Sequence, residues 1–297
     1  ITLNREYGIV VNGEGSVIGG ARSDDACEGP CNLVTLNTAG GIQVTPAGVR
    51  AQILGNYVGV DNEGAFGNGH GILVSGADVQ IGGPGGVLTG PCDGVCNVIG
   101  GNDGYGIVGG ELNRAGFVDD SGPRGLVVQG NVIGTGAGAG APNGSGGVLL
   151  GAGTEGAVIG AVVGEADGTR GNLILGNGAV GGRVTSRGGA SWNNTIRVNE
   201  SVAGNTPIDL VPIGRGGVGD GSTPNDAGDG DEGPNRLLNW PTLVESRLLS
   251  STQAELLVLW TGGNAGTEGT YRLDVYATAR CRGWMADASV RVAGATL

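Results

Sequence analysis

A Gly-Asn dipeptide set between short apolar runs recurs at long, regular intervals, and this repeat constrains the fold more than any other feature. The stretch VRAQILGNYVGVDNEGAFGNGHGILVSGADVQIGG (49–83) has a counterpart in GLVVQGNVIGTGAGAGAPNGSGGVLLG, where Gly130-Asn131 lies 75 positions after Gly55-Asn56. Each copy carries an apolar run, Gly-Asn, a second run ending in Gly, and a Gly/Asn/Ala loop leading to GILV or GVLL. A third run follows, VQIGG at 79–83 and AVIGA at 157–161. Periods of this size mark arrays whose units bury their apolar faces only by stacking on one another.

Three copies of one unit overlay. GIVVNGEGSVIGG (8–20), GILVSGADVQIGG (71–83) and GVLLGAGTEGAVIGA (147–161) open them, and CNLVTLNTAGGIQV (31–44), CNVIGGNDGYGIVG (96–109) and GNLILGNGAVGGRV (171–184) follow. RAQILGNYVG (50–59), LVVQGNVIGT (126–135) and NNTIRVNESV (193–202) form the third part. Asn32 to Asn97 is 65 positions and Asn97 to Asn172 is 75, so an insertion near Glu111–Gly122 accounts for the difference. The runs hold 3–5 apolar residues and are too short for helices. Three sub-patterns per 65 residues predict coils of about 22 residues, each with two or three short strands. The expected fold is an all-β parallel β-helix of about nine coils over 1–212, a rod about 40–45 Å long. Asn32, Asn97 and Asn172 hold one repeat position and Asn37, Asn102 and Asn177 another; they are expected to form turns and to pair with the neighbouring coil.

Residues 213–236 read as an acidic Gly/Asp/Pro loop. Beyond it, NWPTLVESRLL, AELLVLWTG, TYRLDVYAT and ASVRVAGATL predict a small antiparallel β cap over 237–297. Among the 297 residues, 67 are Gly and 11 aromatic, yet 39% are hydrophobic and evenly spaced, which argues against disorder. The net charge of −12, with 16 Arg and no Lys, argues against nucleic acid as a partner. No run approaches the length of a membrane span, and no signal peptide is expected within this numbering.

Two CxxxC pairs, Cys27 with Cys31 and Cys92 with Cys96, stand 65 positions apart, each before a CN-initiated run. A single His in the chain leaves too few ligands for zinc sites. The pairs are expected to be local disulfides, each worth at most about 2 kcal/mol, in an oxidising compartment. Cys281 is left over, either a buried free thiol or an intermolecular partner, and the first is expected.

GNYVGVDNEGAFGNGHGILVSGADVQIGG, with CNVIGGNDGYGI, resembles the repeat of bacterial right-handed parallel β-helix proteins of the pectin-lyase-like superfamily. STPNDAGDGDEGPNRLLNWP (222–241) and YRLDVYATARC resemble the segments in which that family often ends. The resemblance covers nearly the whole chain except after Cys281, where the family continues through a Gly-rich stretch. It implies a right-handed β-helix and a secreted or cell-surface protein. Superfamily members include polysaccharide lyases and inverting hydrolases.

Gly69-His70-Gly71 resembles the GHG element of polygalacturonases. Inverting hydrolysis needs two carboxyls about 6.5–9.5 Å apart, but Asp119-Asp120 follows His70 and no RIK-like element is present. His70 is therefore expected to be an exposed loop residue, and no catalytic residue is assigned. The insertion, with Arg114, Asp119, Asp120 and Arg124, is the candidate ligand-binding face, because solenoid insertions gather on one side. Asp220, Asp226, Asp229, Asp231 and Glu232 are candidate Ca²⁺ ligands on a Gly-rich loop. They match neither the EF-hand, whose twelfth position counted from Asp229 is Trp240, nor the GGxGxD repeat. The expected role is an extracellular structural or adhesive solenoid (a surface-layer, spacer or filament component). The alternative is a polysaccharide-binding or polysaccharide-degrading protein. Ile1-Thr2-Leu3-Asn4 repeats Val34-Thr35-Leu36-Asn37, so upstream chain or a neighbouring copy is expected to cover the first coil, by self-association in the latter case.

Overall fold

The computed structural model describes residues 4–23, 27–61, 63–84, 92–110, 122–134, 141–161, 171–178, 184–187, 194–197, 200–202, 208–212, 223–228, 230–251, 253–260, 272–277, 281–282, 285–286 and 290–296. The chain winds as a parallel β-helix of three-strand coils. The first coil contains β1 (Tyr7–Val11), β2 (Val17–Gly19) and β3 (Leu33–Val34), and the second β4 (Gly40–Val44), β5 (Gln52–Leu54) and β6 (Tyr57–Val58). The third has β7 (Ile72–Val74), β8 (Gln80–Gly82) and β9 (Val98–Ile99); the fourth has β10 (Tyr105–Gly109), β11 (Val127–Gln129) and β12 (Val132–Ile133). The fifth holds β13 (Gly146–Leu150), β14 (Val158–Gly160) and β15 (Leu173–Leu175), and the sixth β16 (Val184–Arg187), β17 (Thr195–Arg197) and β18 (Glu200–Val202). β19 (Ile208–Val211) begins a seventh.

Like strands of successive coils pair in parallel, giving a seven-stranded sheet from β1 to β19 and two six-stranded sheets, one from β2 to β17 and one from β3 to β18. Six complete coils among the described residues, at about 4.8 Å each, make a rod of roughly 30 Å. This corrects the expectation of nine coils of about 22 residues. Each sub-pattern seen in the sequence spans two strands, so one 65–75-residue unit is two coils.

The doubling has a local cause at the corner between the third sheet and the next coil. From Asn32 to Asn37, Asn97 to Asn102 and Asn172 to Asn177 this corner takes five positions. From Asn56 to Asn68 and Asn131 to Asn143 it takes twelve. Short and long corners thus alternate. The short corner of the third coil lies between its long neighbours: the Gly101 N–H donates to the Ala141 carbonyl at 2.8 Å, and a Cβ on Gly101 would lie 2.8 Å from the Ala65 Cβ. The ten extra residues of the second unit fall in the sequence interval between β10 and β11, numbered 110–126, whose counterpart between β4 and β5 is 45–51.

Parallel, in-register pairing puts like on like inside the coil. Ile9, Ile42, Ile72, Ile107 and Val148 stack in the first sheet, Ile18, Ile53, Ile81, Val128 and Ile159 in the second, and Val34, Val58, Ile99, Ile133 and Ile174 in the third. These aliphatics form one core. Fully burying such a side chain contributes about 1.5–3 kcal/mol against leaving it exposed; Ile9 and Ile18 of the first coil are only half-buried against this core.

The C-terminal region is antiparallel. β20 (Thr242–Ser250) pairs with β21 (Gln253–Leu259). β22 (Arg272–Ala277) pairs with β25 (Val290–Thr296), and between them β23 (Cys281–Arg282) pairs with β24 (Met285–Ala286). No helix among the described residues is long and apolar enough to cross a membrane.

Candidate functional site

Burying an amide without partners is costly, so the many buried Asn residues need an accounting. Asn32, Asn56, Asn97, Asn131 and Asn172 each precede a strand of the third sheet and form one ladder. Each Nδ2 donates to the next Oδ1, at 2.8, 3.1, 2.8 and 3.0 Å. Asn37, Asn68, Asn102, Asn143 and Asn177 form a second, at 2.7, 2.9, 2.7 and 2.7 Å. The same Oδ1 also takes a backbone N–H from the coil before, as Asn97 Oδ1 does from the Asn56 N–H at 2.8 Å, and Nδ2 returns to a core-strand carbonyl, as Asn97 does to Ile53 at 2.9 Å. The expected cross-coil pairing is present, and Asn56, Asn131, Asn68 and Asn143 supply the alternate rungs.

Glycine makes room for these rungs. Gly19, Gly59, Gly82 and Gly134 all have positive φ, and a Cβ on any of them would lie 2.2–2.4 Å from the Oδ1 of Asn56, Asn102, Asn131 or Asn177 respectively.

Both expected disulfides are formed, Cys27–Cys31 and Cys92–Cys96. Cys27, Cys31 and Cys92 cover the outer face of the third sheet over Tyr57, Val60, Val98 and Ala141. Arg22, buried to 4% exposure, lies beside Cys92. Its Nη2 donates to the carbonyls of Cys92 and Cys96 at 2.8 and 2.9 Å and sits 3.5 Å from Cys92 Sγ. Its guanidinium carbon lies 4.9 Å from the centroid of the Tyr57 ring. The Arg22 and Gly94 backbones exchange two hydrogen bonds, at 2.8 and 3.0 Å. Nothing in the CxxxC spacing signals Arg22; only stacking brings it 70 residues along the chain to Cys92.

His70 is not the exposed loop residue expected. It is half-buried, its ring is stacked on Tyr105 with centroids 6.3 Å apart, and its Nδ1 accepts the Tyr105 N–H at 3.0 Å. Burial holds its pKa below the ordinary histidine value, against an opposing pull from the Asp103 carboxylate. The Tyr105 N–H needs the neutral ring as acceptor, so His70 serves as a fixed contact between coils.

Of the insertion candidates, Arg114, Asp119 and Asp120 lie outside the described residues. Arg124 is exposed and pairs with Glu155 at 3.4 Å, a surface contact worth about 0–1 kcal/mol. Of the acidic-loop candidates, Asp220 and Asp229 lie outside the described residues, while Asp226 belongs to an ordered clasp. Asp226 N–H donates to Asn239 Oδ1 at 3.0 Å, Asn239 Nδ2 returns to the Asp226 carbonyl at 2.9 Å, and Asp226 Oδ2 takes the Gly230 N–H at 3.0 Å. Its Oδ1 is buried without a hydrogen bond among the described residues. Asp231 is half-buried and Glu232 exposed. Among the described residues no three His, Cys, Asp or Glu side chains converge on a metal position.

The same clasp reaches the last coil. Thr223 Oγ1 donates to the Leu210 carbonyl at 3.0 Å, and Asn235 Nδ2 to the Asn194 carbonyl at 3.0 Å. Pro234 and Leu237 of the short 3₁₀ turn Pro234–Leu237 are buried. The first coil instead holds a cleft of about 520 Å³ lined by residues that include Ile9, Cys27, Cys31, Asn32, Val34 and Asn37.

Comparison with family models, with curated proteins and with solved structures gave no match.

Proposed function

We propose that this chain is an extracellular structural or adhesive rod, a spacer or surface component whose job is stiffness. The observation that carries the reading is the use made of its polar chemistry: ten Asn residues form two cross-coil ladders. Two disulfides, which persist in oxidising compartments, add to this on the outer face. Membership of the pectin-lyase-like superfamily is part of the proposal and rests on the repeat motifs. The turn Pro234–Leu237 over the last coil supports a discrete rod over an end-to-end filament. A contact of the first coil with upstream chain or a second copy is part of the proposal, and the cleft there is what supports it. Ca²⁺ belongs to the proposal at the acidic loop, where the buried Asp226 Oδ1 is an oxygen a hard cation takes.

The test pairs mechanics with chemistry. Single-molecule stretching is expected to unfold the solenoid at high force in steps of whole coils. Incubation with a panel of acidic and neutral polysaccharides is expected to yield no cleavage products. Turnover abolished by Asp119→Ala or Asp120→Ala would replace this reading with the polysaccharide-degrading one.

A further inference from the structure

The two disulfides close rings of the same size, with a sequence separation of four in each. Loop entropy therefore treats them alike, and any difference between them comes from their surroundings. Those surroundings differ: Arg22 bridges the two ends of the Cys92–Cys96 ring through their carbonyls and holds a guanidinium nitrogen 3.5 Å from Cys92 Sγ. The two sulfurs also differ in access, since Cys96 is 1% exposed while Cys92 is half-buried.

We propose that Cys92–Cys96 is a redox-labile disulfide with Cys92 as its reactive sulfur and Arg22 as the positioning residue that favours the Cys92 thiolate. A cation beside a thiol stabilises its ionised form, and stabilising the reduced state makes a disulfide easier to reduce. The step runs with a low-molecular-weight thiol as reductant. Its thiolate attacks the accessible Cys92 Sγ, the S–S bond breaks, and the Cys96 sulfur leaves with the electron pair and takes a proton. A mixed disulfide on Cys92 remains. A second thiolate attacks the reductant's sulfur in that mixed disulfide and expels Cys92 as a thiolate beside Arg22. Two thiols are oxidised to one external disulfide, and one protein disulfide is reduced to two thiols. Lower basicity of the leaving sulfur speeds this second attack. Opening the ring loosens the cover over Tyr57 and Val98, because the Gly55 N–H bonds the Val95 carbonyl inside that ring at 3.1 Å.

The experiment equilibrates the intact chain in glutathione buffers of graded reduced-to-oxidised ratio, quenches with acid, and maps alkylated cysteines by mass spectrometry. Cys92–Cys96 is expected to open at a ratio about tenfold lower than Cys27–Cys31. In the reduced protein, Cys92 is expected to alkylate with a pH midpoint below that of the same cysteine in urea. Arg22→Gln is expected to raise that midpoint and erase the order of opening, while Arg22→Lys keeps part of both. Simultaneous opening, earlier opening of Cys27–Cys31, or a Cys92 midpoint unchanged by urea overturns the proposal. The last is read on the wild-type chain and holds even where Arg22→Gln fails to fold.

Discussion

Asn97→Ala should cost far more than Asn32→Ala, although the two residues occupy the same position of the same repeat. Asn97 is fully buried in mid-ladder. Its removal takes away the acceptor of the Asn56 N–H at 2.8 Å and the donor to the Ile53 carbonyl at 2.9 Å. The side chains above and below keep other bonds: Asn56 Nδ2 retains the Ile18 and Leu54 carbonyls, and Asn131 Oδ1 retains the Asn97 N–H. The loss is therefore one buried backbone N–H without its acceptor, about 1–3 kcal/mol, and a buried carbonyl without that donor, about 1 kcal/mol. The total is about 2–4 kcal/mol. Asn32 is half-buried at the start of the ladder and only its 2.8 Å bond to Asn56 Oδ1 is lost, while that oxygen keeps the Asn32 N–H. One net hydrogen bond is about 0.5–1.5 kcal/mol. Urea unfolding followed by far-UV circular dichroism reads the difference as a shift in midpoint at unchanged slope. Asn97→Ala no more destabilising than Asn32→Ala would refute the ladder as an energetic unit.

Three further outcomes follow from the same geometry. Gly82→Ala places a Cβ 2.2 Å from the Gln129 carbonyl oxygen at φ +71°, whereas Gly15→Ala at φ +65° meets nothing within 4 Å. Gly15→Ala is expected to cost only the left-handed penalty of about 1–2 kcal/mol, and equal melting temperatures for the two variants would contradict the close coil contact. His70 has a folded pKa below its unfolded value of 6.5, so the unfolded chain binds more protons between them. Its stabilising contribution is complete above pH 6.5 and is lost as pH falls from there through the folded pKa. Thermal melts at graded pH should show this component in the wild type and not in His70→Gln. Chelator is expected to lower the melting temperature, with recovery on adding Ca²⁺; an unchanged melt removes Ca²⁺ from the acidic loop.

The fold was legible because the solenoid's rules are local. Runs such as Gly40–Val44 and Gly146–Leu150 name their strands, and Gly-Asn marks the corner before the third sheet. The coil count was not legible, because the corner after Asn56 is longer than the corner after Asn32 and the similarity skips every second coil. Contacts between coils were hidden for the same reason. His70 between two glycines looks like a loop tip until Tyr105, 35 residues later, stacks on it. Arg22 looks like any surface arginine until Cys92 arrives. The CxxxC pairs were readable because both partners lie within one turn of chain.

The alternation of short and long corners also dictates how such a rod can change length. Gly101 fits its short corner against Ala65 on one side and Ala141 on the other, at distances that leave no space for a second long corner in that layer. Excising a short-cornered coil, or inserting a long-cornered one, would set two long corners in adjacent layers, about 4.8 Å apart; the converse change would leave two short corners facing each other across an unfilled step. Excising or duplicating a pair of coils keeps every corner beside its complement. Length variants of this architecture are therefore expected to come in even numbers of coils, so that a rod lengthens by about 9.6 Å at a time.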